Sequence, residues 1–306
     1  MEEGFNTMNA FPKLPEFSYS KPDTYAEASE FLVAHAGEAR PFIGGTDLFV
    51  QMRDRVLRPK YLVDVKGLEG MDEISFDDSQ GLTIGGAVNM NRVIAAPEVI
   101  EHYQILAEAA QTVASYQLRN RATIVGNICN ASPAGDTIGA SLLLDGVLNI
   151  YGEGGLRQEP LSSFFLGPGE TILQTGDIVI SIRFPLPPDG LKGKYIKLGR
   201  NKLSDLSIVG VTAVGYPDAD TVSGLRFKLA LASVAPVPLV VEQVGDILGR
   251  KPVTEESLKG ASEAAMEACT PIDDVRGSAR YRKLMVRNLS LNALRDVWHQ
   301  LRKSSS

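Results

Sequence analysis

The chain has little of what most metal and redox chemistry needs. In 306 residues there are two cysteines, Cys129 and Cys269, and three histidines, His35, His102 and His299. Two cysteines 140 positions apart exclude a disulfide framework, and by themselves they ligate neither an iron–sulfur cluster nor a structural zinc. The histidines are scattered and show no HExxH-type spacing, so they read as structural or solvated. Basic excess is missing as well. The net charge is −6 and the pI about 5.3, which argues against a nucleic-acid footprint. No run of eighteen apolar residues occurs, and the acidic start MEEGFNTMNAFPKLPEF lacks the cationic and apolar regions of a signal peptide. A cytoplasmic chain without a membrane span is expected. Neither GxGxxG ahead of a helix nor GxxxxGK[ST] is present, which excludes the dinucleotide fingerprint and the Walker loop.

What remains is an ordinary globular composition, 44% hydrophobic and 22% charged, enough for two or three domains. Thr24 and Glu27 have capping-box spacing ahead of a helix with Ala28, Phe31, Leu32 and His35 on its apolar face, stopped at Gly37. A strand over 40–43 runs into Gly44-Gly45, and Leu48, Met52 and Val56 then keep helical spacing as far as Pro59. A strand at 61–65, a hairpin across 77–81 and an alanine-rich helix over 100–114 follow. After a second glycine-bearing segment come a helix from Thr137 to Leu144 and strands at 147–151 and 177–184. The cluster Pro185-Leu186-Pro187-Pro188-Asp189-Gly190 is the best linker. Beyond it, strands at 195–198, 208–214 and 227–233 precede helices at 239–249, 254–268 and 278–302, strands first and helices after. The last helix interleaves Leu284, Leu291, Leu294 and Leu301 with Arg282, Lys283, Arg287, Arg295 and Arg302, either a solvated face or a partner surface.

Two segments suit an anionic ligand. In Ile43-Gly44-Gly45-Thr46-Asp47-Leu48 the glycines leave backbone N–H groups bare at a helix start, where Thr46 offers a hydroxyl and Asp47 a side chain for the first helical turn. A lone Gly-Gly is equally a tight turn. The second segment is richer: Thr123, Gly126, Asn127 and Asn130 combine hydroxyl, bare backbone and carboxamide, and Ser132-Pro133 is expected to hold the chain extended until Asp136 presents a carboxylate. A polar loop with an aspartate at a helix N-cap is the plainer alternative.

FIGGTDL, QLRNRATIVGNICNASPAGD, ILQTGDIVISIRFP and YIKLGRNKLSDLSIVGV, in order from residue 42 to 211, resemble the FAD-binding medium subunit of molybdenum hydroxylases. That family includes xanthine dehydrogenases, carbon monoxide dehydrogenase and nicotinate dehydrogenase, and the resemblance extends over nearly the whole chain. It implies an α+β fold: a two-subdomain FAD-binding unit of the vanillyl-alcohol-oxidase type and a C-terminal antiparallel sheet with helices. The divisions expected are 1–66, 67–188 and 189–306. It further implies that Ile43, Gly44, Gly45, Thr46, Asp47 and Leu48 wrap a pyrophosphate, and that Thr123, Ile124, Gly126 and Asn127 approach from the other subdomain. Ser132 would shape its loop, Asp136 would bond a polar group of FAD, and Val179 would touch the cofactor through its backbone. Lys197 would stand near the isoalloxazine, and Tyr195 either packs near the ring or is a core strand aromatic.

One position departs from the family's Thr-x-Gly-Gly-Asn: Val125 replaces the first glycine, and is expected in ordinary β geometry with Gly126 making the close approach. The extra iron–sulfur insertion of hydroxybenzoyl-CoA reductase is excluded by the cysteine count, and Cys129 reads as a small buried residue. By resemblance, an oxidoreductase complex is implied. A large molybdopterin subunit hydroxylates the substrate, a small subunit with two-iron iron–sulfur clusters relays electrons, and this chain passes them from FAD to NAD or another acceptor. The assembly would be a heterotrimer or a dimer of heterotrimers. A self-contained flavin oxidoreductase and a non-catalytic scaffold that has lost FAD are the alternatives.

Overall fold

The computed structural model describes residues 13–201 and 205–304. Residues 1–12 of the acidic start and residues 202–204 of the last resembling segment fall outside that range, as do the final two serines.

The first unit is a parallel three-stranded sheet. Its elements in chain order are β1 (Ser18–Ser20), α1 (Tyr25–Ala34), β2 (Ala39–Phe42), α2 (Leu48–Arg53) and β3 (Tyr61–Asp64), with β3 in the middle. Thr24 Oγ1 accepts from Glu27 N–H at 3.2 Å, but Glu27 Oε2 returns to the amide of Asp23 at 2.9 Å, so the capping box is displaced by one residue. Helix α2 is shorter than its apolar spacing suggests. Arg55 takes a left-handed φ of 62°, Arg55 N–H bonds Met52 O at 3.2 Å and Val56 N–H bonds Gln51 O at 2.9 Å. This pair is a Schellman closure. Val56 therefore lies outside the helix, 72% exposed.

The second unit runs β4 (Ile74–Asp77), β5 (Gly81–Gly85), α3 (Met90–Ala95), α4 (Pro97–His102), α5 (Gln104–Gln111), α6 (Tyr116–Arg119), α7 (Ile124–Cys129), α8 (Ile138–Leu143), β6 (Val147–Gly152), β7 (Gly155–Pro160), β8 (Phe165–Gly167), β9 (Glu170–Thr171) and β10 (Ile178–Phe184). Its antiparallel sheet has the order β4-β5-β10-β6-β7, and β8 pairs with β9 alone. The helix expected over 100–114 is broken at Tyr103, whose backbone leaves helical geometry at φ −127° and ψ 39°. Its fully buried hydroxyl is satisfied there: it accepts from Leu82 N–H at 3.2 Å and donates to Pro185 O at 3.0 Å.

The third unit is β11 (Lys192–Leu198), β12 (Val209–Pro217), β13 (Leu225–Ala232), β14 (Leu239–Val240), α9 (Glu242–Gly249), α10 (Glu255–Ala268) and α11 (Ala279–Ser304), a sequential antiparallel sheet with three helices on one face. Its other face meets the second unit. A Cβ on Gly193 of β11 would fall 2.7 Å from Ile105 Cβ, and one on Gly139 of α8 would fall 2.5 Å from Thr212 Oγ1, so both glycines are there for close approach. Tyr195, Val214 and Ala230 accordingly join the core of the second unit. The basic row of α11 is not a uniform solvated face: Arg295 pairs with Glu255 at 2.7 Å, Arg287 with Glu263 at 3.5 Å, and Arg282 is buried. No helix among the described residues is long and apolar enough to cross a membrane.

Candidate functional site

Where the three units meet there is a cavity of about 490 Å³, within the range of small-molecule sites. One wall is the turn from β2 into α2. A Cβ on Gly44 would lie 2.2 Å from Arg121 O, so only glycine lets this turn press against the end of α6. Gly45 has φ +73° and sits against the rings of Phe42 and Phe49. The first backbone bond of the turn is Phe49 N–H to Gly45 O at 3.0 Å. Before it, the N–H groups of residues 44–48 have no acceptor among the described residues. Five consecutive free amides at a helix start are a donor set of the kind that suits an anion. Asp47 does not cap α2. Among the described residues its carboxylate accepts from Thr46 Oγ1, at 3.4 Å, and although the residue keeps solvent exposure, partial desolvation at the cavity pushes it above the usual carboxylate range.

The facing wall is α7 and the turn after it. Thr123 is the N-cap and its Oγ1 accepts from Gly126 N–H at 2.8 Å. That bond reverses an expectation, because the Gly126 amide is occupied while that of Val125 has no acceptor among the described residues; the Ile124 amide is taken up by the isolated antiparallel bridge between Asn89 and Thr123. Val125 is helical rather than extended and is not among the residues of positive φ, so the missing glycine causes no strain. The chain after Ser132 is a turn instead of an extended run: Gly135 N–H bonds Ser132 O at 3.0 Å and Ala134 N–H bonds Ser132 Oγ at 3.3 Å. Asn127 Oδ1 accepts from Thr137 Oγ1 at 2.7 Å, which leaves its amide nitrogen for the cavity.

Asp136 is held from the third unit. Tyr195 donates its hydroxyl to Oδ1 at 2.7 Å, and Lys197 Nζ donates to Oδ2 at 2.7 Å and to Thr112 O at 3.2 Å. Burial raises the Asp136 carboxyl above its ordinary range against the opposing pull of Lys197 and Tyr195. Burial and the Asp136 charge push the Tyr195 phenol well up, so it donates throughout the physiological range.

Of the fourteen residues singled out above, twelve line the cavity: the six from Ile43 to Leu48, then Thr123, Gly126, Asn127, Ser132, Asp136 and Val179. Val179 reaches it where the pairing of β10 with β6 shifts register by one residue, a bulge. Ile124 and Lys197 do not line it; Ile124 is fully buried in the core and Lys197 stands behind Asp136. Cys129 does line it, and burial pushes its thiol up to about 12. Sequence reasoning passed over Asp177, which borders the cavity but is engaged by the Arg157 fork at 2.8 and 2.5 Å. It also passed over Asp205 and Leu206, which border the cavity from the third unit. Nothing local in those residues signals a ligand wall; only the packing of one unit on another brings them there.

Residues 15–187 match a family model described as the FAD binding domain in molybdopterin dehydrogenase, and residues 194–297 match the carbon monoxide dehydrogenase flavoprotein C-terminal domain. The carbon monoxide dehydrogenase medium chain of Hydrogenophaga pseudoflava is 32% identical over 284 residues, covering 93% of this chain and 98% of the relative. The xanthine dehydrogenase FAD-binding subunit of Escherichia coli is 28% identical over 281 residues, covering 92% and 95%. Among solved structures, the carbon monoxide dehydrogenase from Hydrogenophaga pseudoflava that lacks the Mo-pyranopterin moiety of its molybdenum cofactor matches with a TM-score of 0.89 at 31% identity, covering 94% of this chain and 99% of that one.

Proposed function

The chain belongs to the FAD-binding medium subunits of molybdenum hydroxylases, a family of oxidoreductase complexes, and on that premise we propose that it is the electron-exit station of such a complex. FAD, when bound, supplies a carrier that takes up electrons singly and releases them in pairs. The observation that supports the reading is the row of unpartnered amides at residues 44–48, opposed across one cavity by that of Val125.

In this reading the amides of residues 44–48 and that of Val125 hold the diphosphate from both sides, with Thr46 Oγ1 and the Asn127 amide nitrogen as further donors. Ile43 precedes the first set and Leu48 closes it, Thr123 and Gly126 shape the turn that presents Val125, and Ser132 and Val179 form the wall between. Each Asp136 oxygen receives one hydrogen bond and keeps a lone pair for a hydroxyl or ring N–H of the cofactor. Lys197, behind that carboxylate, is a buried cation whose field favours negative charge in the cavity. We take residues 1–66, 67–188 and 189–306 as the three units that close on the cofactor.

Among the described residues that line the cavity no acid, base and nucleophile set is assembled, which favours a partner that oxidises the substrate. We assign that step to a large molybdopterin subunit. A small subunit with two-iron clusters would deliver the electrons, NAD or another acceptor would remove them, and a heterotrimer or a dimer of heterotrimers in the cytoplasm would be the working unit.

Reconstitution tests the site. The purified chain incubated with FAD should retain it stoichiometrically after desalting, with flavin absorbance bands, while Gly44→Val should retain little, because even a Cβ there meets Arg121 O at 2.2 Å. A wild-type chain that retains no flavin would sink the assignment. A chain that oxidises a donor without molybdenum or iron–sulfur partners would contradict the exit role.

A further inference from the structure

The turn from Ser132 to Asp136, which forms one wall of the cavity, is fastened to the third unit by two hydrogen bonds to its carbonyls. Ser233 N–H donates to Pro133 O at 2.7 Å and Ser207 Oγ donates to Ala134 O at 3.2 Å. The two serines are tied to each other, Ser233 Oγ donating to Ser207 O at 2.8 Å. Ser207 lies directly after Asp205 and Leu206, which line the cavity themselves. Both serines therefore stand at the rim where the third unit meets the cofactor space.

Ser233 adopts a left-handed φ of 66°, unusual for a residue with a side chain. Such a backbone persists only where its surroundings over-determine it. Arg282, at the start of α11, supplies that restraint. Its Nη1 donates to Ile208 O at 2.7 Å and to Ser233 O at 3.0 Å, and its Nη2 donates to Asp274 Oδ1 at 2.6 Å, from a side chain only 4% exposed. One planar guanidinium thus joins the residue before β12 to the residue after β13, the two strand ends from which the turn is fastened. Both carbonyls accept from Nη1, while the coplanar Nη2 is fixed by Asp274; a lysine has one nitrogen and could not hold the two carbonyls while a second, coplanar donor is anchored on Asp274.

We propose that Arg282 is a positioning residue for the flavin: acting through Ile208 and Ser233, it sets the two strand ends that hold the Ser132–Asp136 turn, and so sets the cavity wall against which the cofactor lies. This rests on the reading that the cavity takes FAD. It gives the C-terminal unit a defined part in cofactor binding beyond the contribution of Lys197.

Wild type, Arg282→Lys, Arg282→Gln and Ser207→Ala are titrated with FAD as the full chain, following flavin fluorescence and the visible circular dichroism of the bound flavin, with far-ultraviolet dichroism and a thermal melt of each apoprotein as folding controls. Both arginine variants should lose about ten-fold or more in FAD affinity, and Arg282→Lys should not restore it. The visible dichroism should change with them, a signature that loss of stability alone would not produce. Ser207→Ala removes the hydroxyl that reaches Ala134 O and also bonds Ser233 Oγ at 2.9 Å, and should weaken FAD several-fold with the far-ultraviolet dichroism of the wild type. It decides the matter where the arginine variants do not fold. Folded Arg282 variants that bind FAD within about two-fold of wild type with wild-type visible dichroism would overturn the proposal, as would a Ser207→Ala indistinguishable from wild type when the arginine variants are unfolded. A wild-type chain that binds no FAD would instead remove the reading beneath it.

Discussion

Lys197 Nζ lies 2.7 Å from Asp136 Oδ2 in an ion pair whose two side chains are 13% and 8% exposed, joining a strand of the third unit to the turn on the cavity wall. The lysine is neither in the cavity lining nor free. Its remaining bond goes to Thr112 O, and the same carboxylate receives the Tyr195 hydroxyl. A buried charge pair of this kind is costly to break from one side, because the partner left behind keeps its desolvation penalty.

Lys197→Met should therefore destabilise the apoprotein by about 3–5 kcal/mol, and by more at high pH than at low. Burial already raises the Asp136 carboxyl, and Lys197 is the first of the groups opposing that rise. Removing it lifts the folded-state value further above the unfolded one. A carboxyl shifted in that direction contributes most below its unfolded value and loses stability as pH climbs through its folded value. Urea unfolding between about pH 4 and about pH 8 should show the deficit growing with pH, and Asp136→Asn in the same background should flatten the dependence. A deficit that ignores pH would mean that Asp136 does not carry the uncompensated charge.

Much of this site was legible because its residues are contiguous. Gly44-Gly45 at a strand end and Thr123 at a helix start are local signals, and the structure brings both segments to one cavity. Strand order was less accessible. The parallel sheet depends on β1, three residues with no alternating pattern, pairing with a strand forty residues later. The break at Tyr103 was hidden for a similar reason, since the hydroxyl finds its partners at Leu82 and Pro185, remote in sequence. Arg282 was misplaced because helical periodicity reports which face a residue occupies, whereas its burial comes from carbonyls of two distant strand ends.

Val125→Gly would restore the glycine of the resembling motif, and it should make the protein worse. Val125 lies within α7 and is 1% exposed. A glycine within a helix costs about 1 kcal/mol, and losing a buried valine side chain costs about 1.5–3 kcal/mol more. The melting temperature should fall by several degrees with no gain in FAD affinity. A stabilised variant, or one that binds FAD more tightly, would show that the valine strains the site after all.

The thiol beside the cavity should be inert. Cys129 lines the cavity, yet burial pushes its thiol up to about 12, so at about pH 8 its thiolate fraction is on the order of 10⁻⁴, against roughly a quarter for an unperturbed cysteine. Cys269 is fully buried, donates its S–H to Met266 O at 3.1 Å and is also raised by burial. Iodoacetamide should therefore leave the native chain unlabelled over a time that modifies both cysteines of the denatured chain, as read by intact mass. Added FAD should change nothing, because neither thiol is reactive before the cavity fills. Fast labelling at Cys129 that FAD suppresses would give the opposite answer: a reactive thiolate facing the cofactor, and with it a redox part for this residue that its surroundings otherwise deny.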